Sequence, residues 1–356
     1  MQSRFVFRVV WVFVVPLFLA GWVRAQEASP EDETINTIRQ LPQISPADQR
    51  RIADWVQVQV DKLAATPDAG RQAVAVAFRK TFKTQYENPA NSPPFKAQLA
   101  AQTAAVAAAQ FGNAKLDQWV AFALARVLVD MGGMETLPAL VAGLKSKYEP
   151  ARYLCAEGLS AQKTTIAADK TKLDEAVQAL RMQALIESSP IVLGRIYLAL
   201  AHVTQVSVVF DAYLAIFEKR LTDRRGGAVM ADGAEMDAFE FFRNSNVLTA
   251  LNPAQKEQLA RPLAVFLRQD AERYNTTGLD FYEVDRLERA MDCVEAILAE
   301  LAGPGKGGKI RDEIAAGGQD RRAEVQAEAY KWVGNPQSKE PGALNVAPWN
   351  VAVGAP

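Results

Sequence analysis

His202 is the single histidine of this 356-residue chain, and Cys155 and Cys293 are its two cysteines. One histidine and two distant thiols cannot assemble a two-histidine or four-thiolate zinc site, so neither a metal nor a cofactor is expected. A serine–histidine–acid arrangement would have to use His202 as its base. No Gly-x-Ser-x-Gly turn occurs to present a serine to it, and His202 therefore reads as an inter-helix side chain.

The acidic run Asp280-Phe-Tyr-Glu-Val-Asp285 offers carboxylates that could act as general acid and base. Asp280 and Glu283, however, stand at cap-to-third-position spacing, and a reciprocal capping box opening a helix over 281–302 accounts for both. A glycosidase would need a second carboxylate from elsewhere, which the sequence does not place. Gly303-Pro-Gly-Lys-Gly-Gly-Lys-Ile310 follows phosphate-loop spacing through its last Gly-Lys, then puts Ile310 where magnesium needs Ser or Thr. A helix precedes it where a strand is required, so it reads as a glycine hinge closing that helix. Asn275-Thr-Thr277 fits the glycosylation triplet, which matters only in a eukaryotic secretory route.

The elements that would position these residues begin after residue 25. Residues 1–25 combine Arg4 and Arg8, an apolar stretch from Val9 to Val23, and Val23 and Ala25 at the small-residue positions of a cut after Ala25. This is the pattern of a cleavable export signal. Pro16 interrupts an apolar run already short of the roughly 20 residues that span a bilayer, and no later segment is apolar for long enough, so the exported chain has no stable membrane span. Removing Arg4, Arg8 and Arg24 leaves 37 basic against 41 acidic residues, a net charge of −4. A surface that tracks phosphates shows a basic excess, so nucleic acid is not an expected partner.

Polar–proline pairs punctuate the rest of the chain: Ser29-Pro30, Ser45-Pro46, Thr66-Pro67, Ser92-Pro93, Ser189-Pro190 and Asn252-Pro253. The polar side chain accepts from a free N–H of a first turn, and proline at the first helical position gives up an N–H that had no partner. Each pair announces a helix, with Asp32, Asp48 and Gln255 placed to complete a capping box. Apolar spacing of 3.6 residues adds helices at about 116–130, 134–146, 150–161, 172–188, 206–222, 281–302 and 320–333. An all-α fold follows. The glycine-rich stretch Arg224–Gly233 is a possible sub-boundary of a helical domain over 26–334, and the proline-punctuated 335–356 cannot continue a helix and should form an irregular tail.

Leu137, Leu140 and Pro150 recur 40 residues later as Val177, Leu180 and Pro190, and a period of about 40 made of two helices is that of helical arrays. Leu137-Pro-Ala-Leu-Val-Ala-Gly-Leu144 followed by Glu149-Pro-Ala-Arg-Tyr-Leu-Cys-Ala-Glu-Gly-Leu159 resembles a HEAT-type repeat unit, and the likeness is clearest over 134–204. The second unit departs from the first in carrying Val192 where Arg152 would map. The resemblance implies an α-solenoid of HEAT-like helix pairs with irregular ends, and an extended surface that works by engaging a protein partner.

On that reading the chain is an exported, non-catalytic interaction protein of the cell envelope or exterior. Arg152 and Arg195, at the starts of second helices, are either candidate contacts on the surface or hydrogen-bond donors to helix ends. Trp349 is either a cap folded onto the last helices or the anchor of a docking peptide. The competing expectation is an exported α/α-toroid enzyme acting on a polysaccharide.

Overall fold

Ser45, Ser92, Ser189 and Asn252 each accept the amide of the residue three positions on, at 3.2, 3.3, 3.3 and 2.9 Å, so four of the polar–proline pairs start helices as their chemistry requires. Gln255 closes a reciprocal box with Asn252, whereas Asp48 takes the Ser45 hydroxyl at 2.6 Å instead. Thr66 does not cap. Only three residues separate two helices there, and its hydroxyl donates to Lys62 O, an orphan carbonyl of the preceding helix, at 2.8 Å. The computed structural model describes residues 35–203, 205–226, 234–303, 305–317 and 321–351. The export segment, the cut after Ala25 and the Ser29-Pro30 start lie outside these.

In chain order the first helices are α1 (Pro46–Ala64), α2 (Asp68–Glu87), α3 (Pro93–Phe111), α4 (Gln118–Met131), α5 (Leu137–Gly143), α6 (Glu149–Ala161), α7 (Lys163–Ala167) and α8 (Lys170–Ala184). There follow α9 (Pro190–Ala201), α10 (Val206–Arg225), α11 (Met236–Arg243), α12 (Ser245–Ala250), α13 (Pro253–Tyr274), α14 (Phe281–Ala302), α15 (Ile310–Ala316) and α16 (Arg322–Val333). All regular structure among the described residues is helical, and no described helix is long and apolar enough to cross a membrane.

Helices pack in two rows. In the first row α1, α3, α5, α8, α10, α13 and α16 touch in succession; in the second, α2, α4, α6, α9, α11 and α14 do. The core lies between the rows. Ala100, Ala104 and Ala107 give α3 a buried stripe of small side chains. Further on, large rings fill the space: Tyr213 stacks on Tyr197 and Phe241 at centroid distances of 5.8 and 5.0 Å, and Phe266 meets both Phe217 and Phe239 at 5.5 Å.

Beneath the rings of α10, α11 and α13 lies a cluster of ions. Glu235 accepts from Arg220 at 3.2 Å and from Arg224 at 2.9 Å, and Arg224 reaches Asp270 at 2.8 Å while its guanidinium lies 4.9 Å from the Phe266 ring centre. The stretch read as a loop from Arg224 is therefore helical through Arg225, and the cluster ties its two ends, at α10 and Glu235, to α13.

Past α16 the described residues, up to Val351, form no regular element, as the prolines there require, yet they pack against the fold. Ala343 and Leu344 donate their amides to the carbonyls of Lys331 and Trp332 at 2.8 and 2.9 Å, the last carbonyls of α16. Leu344 is fully buried and Trp349 is half-buried on the core.

Candidate functional site

Second-row helices carry polar groups across every junction between them. Arg79 of α2 forks onto Asp130 of α4 at 2.5 and 2.9 Å. Arg126 of α4 stands 3.9 Å from Glu157 of α6. Arg195 of α9 lies 4.7 Å from the Tyr153 ring centre on α6 and bonds its hydroxyl. Asp237 of α11 faces Arg195 and, from α14, Arg289; burial pushes its carboxyl up, and the two cations only partly counter this. Arg243 of α11 reaches Asp292 of α14 at 3.8 Å. A bidentate guanidinium fixes both distance and angle, so this row is held in register by polar contacts as well as by packing.

Between the first three helices of the row lies a depression of about 430 Å³. Its walls come from helical spacing on two neighbours: Gln72, Val76 and Arg79 on α2, and Trp119, Phe122 and Arg126 on α4, with Leu154 of α6 behind them. Val76 is 66% exposed and Phe122 37%. Trp119 and Phe122 meet edge to face at 6.4 Å. Cationic stems line an apolar floor, their charges already answered by Asp130 and Glu157 at one side. Such a surface can take up an apolar side chain without stranding a charge.

The residues singled out in sequence separate here. Arg195 lies on the second row, between Tyr153 and Asp237. Arg152, on α6, turns into the protein: it grips Glu187 with two bonds of 2.8 Å and donates a third, at 3.0 Å, to Ser146 O. Trp349 lies at the other end of the chain, packed on the core. No one site contains all three. Trp119, Phe122, Val76, Arg79 and Arg126 escaped notice, although the i, i+3, i+7 stripe of Trp119, Phe122 and Arg126 was legible as an unusual mixture for one face.

His202 ends α9, and its Nδ1 shares a short hydrogen bond with the Ser160 hydroxyl of α6. Burial, then Lys163 and Arg195, hold the imidazole below its ordinary value, so it is neutral at pH 7. A neutral imidazole on a serine is half of a nucleophilic pair, but Ser160 is buried, and among the described residues no carboxylate bonds the other ring nitrogen. Cys155 and Cys293 are both free and buried; burial raises both thiols, Cys293 to about 12. Neither is poised as a nucleophile.

The acidic run behaves as its spacing requires. Asp280 accepts from Glu283 N and Glu283 from Asp280 N, both at 2.8 Å. In the glycine loop a carboxylate of the chain itself occupies the place a phosphate would take: Glu295 accepts from Ile310 N, Arg311 N and Trp332 Nε1 at 2.7, 2.9 and 3.1 Å. Two of the loop's glycines, Gly307 against Trp332 and Gly308 against Glu328, serve packing. A Cβ on Gly308 would collide with the Glu328 carbonyl, whereas one on Gly305 would meet nothing.

Gly308→Ala should therefore destabilise the protein by about 3 kcal/mol, and Gly305→Ala, at φ 75° in open space, by only about 1 kcal/mol. Equal midpoints for the two variants in urea unfolding would show that the loop does not pack in this way.

No protein-family model matches this chain, and neither a curated protein nor a solved structure does.

Proposed function

We propose that the chain is an exported, non-catalytic helical-repeat protein, an α-solenoid of HEAT-like pairs that binds a protein partner along its second helix row. The observation that carries this reading is the depression between α2, α4 and α6, where Val76 and Phe122 stay exposed beside Trp119. Apolar side chains at a concave spot with a polar rim have the anatomy of a contact surface. The two-row succession, which extends the 134–204 resemblance over the described helices, supports the repeat reading, and the Arg4-to-Ala25 pattern supports export. The occupant that fits is a segment inserting one bulky apolar side chain between Val76 and Phe122.

Affinity capture from the native envelope fraction, followed by mass spectrometry, tests it with two baits: the wild-type protein and Val76→Asp/Phe122→Ala. Both positions are surface-exposed, so the double variant should unfold at the same temperature while losing about 2 kcal/mol or more of partner binding. The same proteins recovered at the same level by both baits would overturn the assignment.

A further inference from the structure

The capping box explains Asp280 and Glu283 and leaves the two residues beside Asp280 unexplained. Among the described residues Phe281 and Tyr282 are the most exposed of the large aromatic side chains, at 78% and 72%, and they meet each other edge to face at 5.8 Å. The first turn of a helix has no need of aromatic residues, which have lower helix propensity than most. Their apolar faces are held in water at a cost to the free protein.

Phe281 also forms one wall of a cavity of about 370 Å³, placed where the end of α13 and the starts of α14 and α16 converge. Tyr274, Asp280, Glu288 and Arg322 supply the rest of its polar and aromatic lining. The polar groups are positioned by contacts among themselves. Tyr274 donates its hydroxyl to Glu288 Oε1 at 2.6 Å. Arg322 lies 5.4 Å from the Tyr274 ring centre and gives Nη1 to Thr276 O at 3.0 Å. Asp280 uses Oδ1 on Glu283 N. Among the described residues, Glu288 Oε2 and Asp280 Oδ2 accept from nothing, and Arg322 Nη2 donates to nothing.

The lining selects a ligand class. A phosphate or other anion would face two carboxylates, and an organic cation would face Arg322. A purely apolar ligand would strand the unpartnered carboxylate oxygens and the guanidinium N–H. A neutral ring of hydroxyl groups both donates and accepts, so it can satisfy Glu288, Asp280 and Arg322 together. Such a ring also has a flat face of C–H bonds, which are drawn to the electron-rich face of an aromatic ring. We propose that this cavity and the Phe281–Tyr282 pair form a binding site for a neutral oligosaccharide, with one sugar ring in the cavity and the next against the exposed aromatics. The volume is at the small end for a ligand site, which suits a sugar ring or two and excludes a folded domain. The site lies at α13, α14 and α16, so it stands or falls independently of the depression on α2, α4 and α6.

An array of immobilised neutral hexose and N-acetylhexosamine oligomers, with sulfated and phosphorylated counterparts, tests this on the purified protein, followed by calorimetry with the strongest soluble hexamer. At least one neutral oligomer should bind, and its charged counterparts should bind more weakly. Phe281→Ala/Tyr282→Ala should lose about tenfold in affinity or more at an unchanged unfolding temperature, because neither side chain is in the core. Ile191→Ala, at an apolar residue 63% exposed on α9, should bind as wild type. Three results would each overturn the proposal: no neutral oligomer bound, binding that survives the double variant, or preference for the charged counterparts.

Discussion

Arg152→Ala should destabilise the protein by about 3–5 kcal/mol, because it leaves Glu187 buried without its cation. The Glu187 side chain is only 1% exposed and that of Arg152 13%. Two of the guanidinium's three bonds go to Glu187, and Gln183 and the amides of Ser188 and Ser189 supply the carboxylate's other contacts. Arg152→Lys cannot reproduce the fork and should fall between the two. Burial pushes the Glu187 carboxyl up, but the bonds from Arg152, Ser189 N and Gln183 together outweigh it and hold the group below the ordinary carboxylate value. The folded state thus binds fewer protons than the unfolded one. This contribution is present above the unfolded pKa and lost as pH falls through the lower folded one.

Without Arg152 the burial effect is left with less to oppose it, the folded value rises, and the deficit of the variant should shrink in acid. Urea unfolding at neutral pH and near pH 3 measures both quantities. A partner-contacting arginine would instead leave stability untouched and affect only binding, so an unchanged midpoint would return Arg152 to the surface role that its place on a second helix suggested.

Glu235→Ala should cost a similar amount, about 3–5 kcal/mol, by taking a buried carboxylate from two arginines at once and leaving Arg220 only Asp223, at 3.6 Å. The side chains of Arg220, Glu235 and Asp270 are 5%, 1% and 3% exposed, and Arg224, although still paired with Asp270, would lose its second carboxylate. Removing charge from both sides should be less damaging than removing it from one. In a double-mutant cycle, Arg220→Met and Glu235→Gln should therefore couple by about 1–3 kcal/mol. Additive losses would mean that the two do not share one network. The cluster belongs to the place where the sequence offered a domain sub-boundary, and with Arg224 bonded to Asp270 there, α10 and α13 are tied directly to each other.

Helix starts were legible from sequence wherever the signal was local. Ser45, Ser92, Ser189, Asn252 and Asp280 each need only a backbone amide three residues away, and the helix over 281–302 was readable to both ends because a capping box opens it and Gly303 closes it. The absence of zinc-type histidine sets was legible by inspection. Other elements were not legible. The eight-residue α11 is too short to be stable alone and exists because Phe239, Phe241 and Phe242 find Phe210, Tyr213 and Phe266 on neighbouring helices; the six-residue α12 is shorter still and buries only Val247 and Leu248.

Side-chain partners belong to the same class. Arg152, Arg195 and Trp349 all looked available, since a sequence records which groups are charged or aromatic but not what faces them. Tertiary packing turned Arg152 onto Glu187, set Arg195 over Tyr153, folded the glycine loop around Glu295 and laid Trp349 on the core. It also left Val76, Phe122, Phe281 and Tyr282 in solvent. Capping is an interaction over three residues and can be read along the chain, whereas burial and pairing depend on contacts between separate helices, 35 residues apart for Arg152 and Glu187 and 42 for Arg195 and Tyr153, which only the assembled rows of helices bring together.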